Sequence, residues 1–416
     1  MKLLVISPEY ASHYGPLAVL AGAAAADGAH VVVATGPGLR HRVEADGFEW
    51  RHLRLGASSN TGVVDDSPAI RAFIDATREG PLATIRLQAL DRERDLLWNP
   101  EGVAVHIAGL CADLEPDDVL VDHVSFGSTL GMHATGRPFV TLVPGHPSQL
   151  PVGTERYGIP ARWPTCTTPE SAELADVEQV VDRVTAAFTR RWNVALAGLA
   201  PRLRRVDDAF RVHGRRVLYN SVAEVRAPER DALLPPAHRF VGPLVRTEAL
   251  PVELRSWAAP VDARPQVVVA LGTFLSMRSD LLVRLATALR TLPVRAAIAR
   301  GATSADDLGP LPDDWMVAPV LPQVAMLRSA DLMIHHGGNN SVQECLAAGV
   351  RQLILPMSTD QFANAADLER AGVALTASPN GSTAALATVI GTALGAPPPS
   401  PVPVPDHTHL FGPQSD

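Results

Sequence analysis

Cysteine is scarce: Cys111, Cys166 and Cys345 are the three in 416 residues. They are widely spaced, with neither a metal-ligand rhythm nor an even set for disulfides, which points to a reducing, cytoplasmic compartment and to buried apolar roles. Long apolar runs are also missing. The opening Met1-Lys2-Leu3-Leu4-Val5-Ile6 is soon interrupted by Pro8, Glu9, His13 and Pro16, and no segment reaches the ~18 continuous apolar residues of a membrane span. No run of Lys or Arg offsets the formal net charge of −8, which excludes nucleic acid and anionic membrane as expected partners and favours small molecules. The first strand-to-helix turn, Ser7-Pro8-Glu9-Tyr10-Ala11-Ser12-His13, has no Gly-x-Gly-x-x-Gly pattern, and Thr35-Gly36-Pro37-Gly38 is broken by proline, so a dinucleotide cofactor is not expected. No repeat of solenoid type is present.

What remains is a globular, soluble composition, 46% hydrophobic and 19% charged. The length exceeds one ordinary core, so two domains are expected. Short apolar runs at Leu3 to Ser7, His30 to Ala34, Val119 to Val121 and Phe139 to Val143 read as buried strands separated by helices, one of them Pro16 to Asp27. Such alternation gives a parallel sheet covered on both faces. The stretch from Ala57 to Asn99 is polar, then helical, and has no obvious place in that pattern. Proline and charge dominate 227–266, where no period is sustained. The rhythm then resumes with a strand at Val267 to Leu271, a helix at Ser279 to Thr291 and a strand at Arg295 to Ala299. The expected organisation is therefore a domain over 1–226, a linker over 227–266, a second domain over 267–395, and a Pro-rich tail over 396–416 that composition marks as extended and partly disordered.

The most informative segment is His335-His336-Gly337-Gly338-Asn339-Asn340-Ser341-Val342-Gln343-Glu344, followed by Asp360-Gln361. It begins after an apolar strand, Ala330 to Ile334, and leads into a helical stretch, Ser341 to Ala348, stopped by Gly349. A helix N-terminus thus faces a Gly/Asn/Ser loop, and its free N–H groups and dipole suit a phosphate. His336, Asn340 and Ser341 add donors. By itself this arrangement also fits an unliganded, Asn-capped helix.

Several spaced elements together resemble the family 1, GT-B-type glycosyltransferases. They are Val320-Leu321-Pro322-Gln323, His336-Gly337-Gly338-x-Asn340-Ser341-x-x-Glu344, Leu355-Pro356-x-x-x-Asp360-Gln361, and the N-terminal Ser12-His13-Tyr14-Gly15-Pro16. Phe240-Val241-Gly242-Pro243-Leu244 and Val269-Ala270-Leu271-Gly272-Thr273 extend the resemblance over nearly the whole chain. It implies two doubly wound, Rossmann-like domains facing across a cleft. It also implies inverting transfer of a sugar from a UDP- or dTDP-sugar to a hydroxyl of a small natural-product acceptor, as in relatives that decorate antibiotics.

Under that resemblance His13 is the general base and Asp122, just after a strand, its partner; Asp122 could otherwise cap a turn. Gly272, Thr273, His336, Gly337, Gly338, Asn340 and Ser341 would surround the diphosphate, and Glu344 would take the ribose. Leu321 and Gln323 would border the nucleoside, with Val320 where many relatives have Trp. Asp360 and Gln361 would read the sugar, although Ser358 and Gln361 equally fit a capping box. His146, in a Pro/Gly-rich loop, is a weaker candidate for touching acceptor. No Asp-x-Asp motif accompanies the loop, so neither metal nor cofactor is expected. The chain is expected to be a monomer or homodimer. Departures from the pattern are Ser12 for Gly, the extra His335, and Asn339 in place of an aromatic or small residue. Two rival readings are a catalytically silent paralogue acting as a binding or activating partner, and a nucleotide-sugar epimerase of the same fold.

Overall fold

A computed structural model describes residues 1–56, 67–259, 262–272 and 275–411. The first sheet is built from β1 (Lys2–Ile6), β2 (His30–Thr35), β3 (Glu49–His52), β4 (Asp118–Asp122), β5 (Val140–Val143), β6 (Arg216–Tyr219) and β7 (His238–Phe240). All are parallel, in the order β3-β2-β1-β4-β5-β6-β7. The second sheet holds β8 (Gln266–Ala270), β9 (Arg295–Ala299), β10 (Met316–Ala318), β11 (Leu332–His335), β12 (Arg351–Ile354) and β13 (Ala374–Thr376). Its order is β10-β9-β8-β11-β12-β13, again parallel. Two doubly wound sheets are the fold expected of a GT-B protein.

The central strands carry apolar runs because helices cover both faces. Leu3, Leu4, Val5 and Ile6 are fully inaccessible, and each such burial contributes about 1.5–3 kcal/mol relative to exposure. In each sheet the chain winds outward from a central strand in one direction and then returns to wind in the other. The reversal falls between β1 and β4 in the first sheet and between β8 and β11 in the second. Loops leaving the C-terminal ends of such strand pairs splay apart and leave a crevice. His13 and Asp122 follow β1 and end β4; Gly272 and His336 follow β8 and β11.

Three sequence expectations need correction. The segment 227–266 is not wholly linker, since it supplies the edge strand β7. The stretch beginning at Ala57 does not belong to the first sheet alone: helix Pro68–Glu79 lays Ile74, Ile70 and Phe73 against the core of the second sheet. Residues 57–66 lie outside the described residues. The tail, expected to be solvated, is extended but packed as far as Phe411. Leu346 O accepts from Val402 N–H, and Phe411 is buried in the first sheet's core, so apolar burial holds a stretch that composition alone marks as loose.

Candidate active site

His13 sits in the first turn of helix Ala11–Ala26, not in the turn before it, because the helix begins five residues earlier than the sequence suggests. Pro16 is therefore inside the helix. The His13 Nδ1 lies 2.9 Å from Asp122 Oδ2, and Asp122 is fully buried. The other carboxylate oxygen accepts from the Val124 N–H at 3.0 Å. A carboxylate can only accept, so Nδ1 carries the proton and Nε2 keeps its lone pair. Burial pulls the His13 pKa down, but the charge and hydrogen bond of Asp122, with a smaller share from the Asp360 charge, outweigh it and raise it above the usual imidazole value. Asp122 thus makes both contacts, one oxygen to the His13 ring and the other to the turn that follows. His123 beside it is buried and driven down to about 4 by burial, hence neutral.

Across the cleft, helix Asn339–Ala348 starts two residues before the expected Ser341. The Val342 N–H already bonds to Gly338 O, leaving those of Asn339, Asn340 and Ser341 without an intrahelical acceptor. The glycines make room for His336: a Cβ on Gly338 would overlap its Nε2, and one on Gly272 would lie 2.9 Å from its Cε1. Gly337 adopts φ 89, a left-handed conformation that side chains resist. Burial lowers His336 to about 4, against the opposing pull of the Ala270 carbonyl, so its imidazole is neutral. Thr273 lies outside the described residues.

Gln323, first residue of helix Gln323–Leu327, donates from Nε2 to both Ser341 Oγ (3.1 Å) and Glu344. Burial pushes the Glu344 carboxyl up to about 7, against that hydrogen bond and the positive charge of Arg246. Leu321 is buried in the core beneath, while Val320 stands 77% exposed where relatives offer an aromatic ring. Gln323, expected at the nucleoside, and Glu344, expected at the ribose, are thus brought together.

Asp360 lies in the first turn of helix Thr359–Arg370 and faces the opposite half. Burial raises its carboxyl, while the charges of His146 and His13 and the His146 backbone N–H act in the other direction. The sugar-reading candidate and the base are therefore electrostatic neighbours. Gln361 behaves differently: its Oε1 accepts from the Met357 N–H at 2.9 Å, so it braces its own loop. The expected capping box is not formed: Gln361 reaches the N–H of Met357, one residue before the cap, and Ser358 Oγ pairs with Gln88. His146 also departs from expectation. Its Nε2 is 3.1 Å from Asp367 Oδ2 and its Nδ1 accepts from the Ser148 N–H, which makes it a strut between the halves and not an acceptor contact.

The departures from the family pattern prove to be packing elements. His335 is fully buried; Nδ1 accepts from the Gly337 N–H at 3.2 Å and Nε2 donates to Gln352 Oε1 at 3.1 Å, which locks the turn. Asn339 reaches into the first half, donating to Pro144 O (2.8 Å) and Asn220 O (2.7 Å).

Sequence reasoning missed one contact, Asn340 to Ser12, and two neighbours of the site, Arg246 and Tyr157. Asn340 donates to Ser12 O at 2.7 Å. Arg246 and Asn340 both hang over Gly15, where a Cβ would be 3.8 Å from the Arg246 Nε and 3.9 Å from the Asn340 Nδ2. Half-buried Tyr157 lies close enough to Asp122 and Asp360 to feel their charges, and desolvation raises its hydroxyl to about 12. Pro16 was the one available signal, since a proline inside a helix frees the carbonyl four residues back.

Residues 286–399 match the family of erythromycin biosynthesis protein CIII-like C-terminal domains. Oleandomycin glycosyltransferase of Streptomyces antibioticus is 29% identical over 290 residues, 68% of this chain and 62% of that protein, so the chain matches under two thirds of that relative's length. The glycosyltransferase of kitacinnamycin superposes with a TM-score of 0.65 at 20% identity, covering 95% of this chain and 92% of that one. Glycosyltransferase VinC, solved in complex with dTDP, gives 0.63 at 18% identity over 95% and 91%. No helix among the described residues is long and apolar enough to cross a membrane. With two parallel doubly wound sheets and these matches, the chain has the GT-B fold and is similar, over part of its length, to glycosyltransferases of antibiotic biosynthesis.

Proposed function

We propose that the protein transfers a sugar from a UDP- or dTDP-sugar to a hydroxyl of a small natural-product acceptor, with inversion at the anomeric carbon. The observation that carries this reading is the pairing of two half-sites: the His13–Asp122 dyad at one sheet reversal and the phosphate-ready helix N-terminus at the other. The acceptor hydroxyl gives its proton to the free Nε2 of His13 as its oxygen attacks the anomeric carbon, and Asp122 stabilises the imidazolium. The bond to the nucleoside diphosphate breaks on the opposite face. The charge that develops there is met by the His336 imidazole, the Asn340 and Ser341 side chains and the free N–H groups of the donor helix, so the scheme is written without a metal. Glu344, held by Gln323, takes the ribose, and Asp360 takes a sugar hydroxyl beside the base. Binding of dTDP by VinC supports a thymidine nucleotide here. The acceptor enters over a cleft next to the dyad in which Pro8, Tyr10, Leu53, Leu96 and Val124 are mixed with the charged Glu9, Arg54 and Asp95.

The intact dyad favours turnover over the silent-partner reading, since a protein that only binds has no use for an oriented base. The test is incubation with a panel of UDP- and dTDP-sugars and a natural-product library, read by mass spectrometry. His13→Ala should lower transfer by about 10²-fold or more. Turnover within about threefold of wild type, with Asp360→Ala inactive, would show that His13 is not the base.

A further inference from the structure

In the first turn of helix Ala11–Ala26 one backbone carbonyl, that of Ser12, cannot be satisfied within the helix. Residue 16 should donate its N–H to the oxygen of residue 12, but residue 16 is proline, which has no N–H and whose ring pushes that carbonyl outward. The partner that takes its place comes from the other half of the molecule. Asn340 Nδ2 donates to Ser12 O at 2.7 Å, over a separation of 328 residues. Gly15 presents no side chain to block the approach.

We propose that Asn340 is a positioning strut that couples the donor loop to the base. A primary amide has two N–H groups. One is used by Ser12 O, and the other is free for the diphosphate at the helix N-terminus. Ser12 immediately precedes His13, so the contact fixes the distance between the leaving group and the proton acceptor. Pro16 is the part of the device that keeps the Ser12 carbonyl available. This inference rests on the glycosyltransferase reading and assigns Asn340 and Pro16 a role beyond holding phosphate or shaping a turn.

Pro16→Ala is the discriminating variant. It returns an N–H to the helix, which then competes with Asn340 for Ser12 O, while alanine is the better helix former, so no loss of folding is expected. With the donor and acceptor found by the panel above, Pro16→Ala should lower kcat about tenfold or more with donor KM within about twofold, because misplacement of about 1 Å can cost 10²-fold. Pro16→Ala should have no further effect in an Asn340→Ala background. A second readout needs no acceptor: at saturating TDP, backbone hydrogen exchange of residues 11–17 should slow in wild type and not in either variant. Unchanged kcat in Pro16→Ala, additive losses, or the same TDP-induced protection in the variants would overturn the strut. If wild type binds neither TDP nor UDP, the glycosyltransferase reading fails first, an outcome distinct from tight TDP binding without coupling.

Discussion

Asp122→Asn isolates what the buried carboxylate contributes to the dyad. Its Oδ2 lies 2.9 Å from the His13 Nδ1, and it is wholly shielded from water. With charges about 4 Å apart and an effective dielectric near 20, it would stabilise a protonated His13 by about 4 kcal/mol, or about three factors of ten in rate. The His13 side chain keeps 19% exposure, so screening reduces the expected loss in kcat/KM to about 10²- to 10³-fold. An amide can also donate to Nδ1, which would place the remaining proton on Nε2, the wrong nitrogen for a base. The pH profile supplies a second, signed signature. In wild type the charge and hydrogen bond of Asp122 raise the His13 pKa despite burial, so activity should fall as pH drops through a value above 6.5. Without that charge, burial dominates and the acid limb should move to lower pH while the plateau falls. The assay is kcat/KM across pH roughly 5–9. A plateau within about threefold of wild type, or an acid limb that moves upward, would refute the reasoning.

Two further outcomes follow from the second half of the site. Burial holds Glu344 near 7, so the carboxylate that accepts from ribose is present above that pH and lost as pH falls through it. UDP affinity measured by calorimetry should weaken as pH is lowered from about 8 to about 6, and Glu344→Gln should flatten the dependence; equal affinity at both ends would remove Glu344 from the ribose site. Asn339→Ala should act on stability. Pro144 O retains a second donor in Asn220 Nδ2, but Asn220 O loses its Asn339 partner, so urea unfolding should show a loss of about 1–3 kcal/mol. A loss below about 0.5 kcal/mol would mean that water replaces the bond without cost.

The central strands were legible because a parallel strand buried on both faces needs an apolar run at its centre, as β1, β2, β4 and β8 have after a polar first residue. The edge strands were not. Glu49–His52 and His238–Phe240 lie at the two margins of the first sheet, where half-exposed polar residues break the pattern, and the second of these is set in a Pro-rich stretch that reads as linker. The site divides in the same way. Groups whose geometry is set by nearby residues, such as the His336 loop and the Gln323–Glu344 pair, could be found from motif and spacing. Contacts that depend on how the halves meet could not, because sequence separation carries no distance: Asn339 to Asn220, Asn340 to Ser12 and His146 to Asp367 join residues 119 or more positions apart. His146 was placed at the acceptor for that reason, while Gln361 braces its loop through Oε1 and keeps amide N–H groups that can donate to a sugar.

Three consecutive residues open the donor helix, and each faces a different part of the molecule because successive helical positions turn by about 100°. Asn339 points into the ends of the first sheet, Asn340 towards the helix that carries His13, and Ser341 towards Gln323 and Glu344. The same helix terminus presents its unpaired N–H groups to a phosphate. Their partners lie on separate elements, so their losses should fall on separate observables: stability for Asn339, the coupling of donor to base for Asn340, and nucleotide affinity for Ser341. A diphosphate bound at this point would touch, through one turn of helix, the seam between the sheets, the base and the ribose pocket. An aromatic residue at position 339 could fill the seam but could not donate to the carbonyls of Pro144 and Asn220. The asparagine there is better understood as the fastening of this particular seam than as a reader of the sugar.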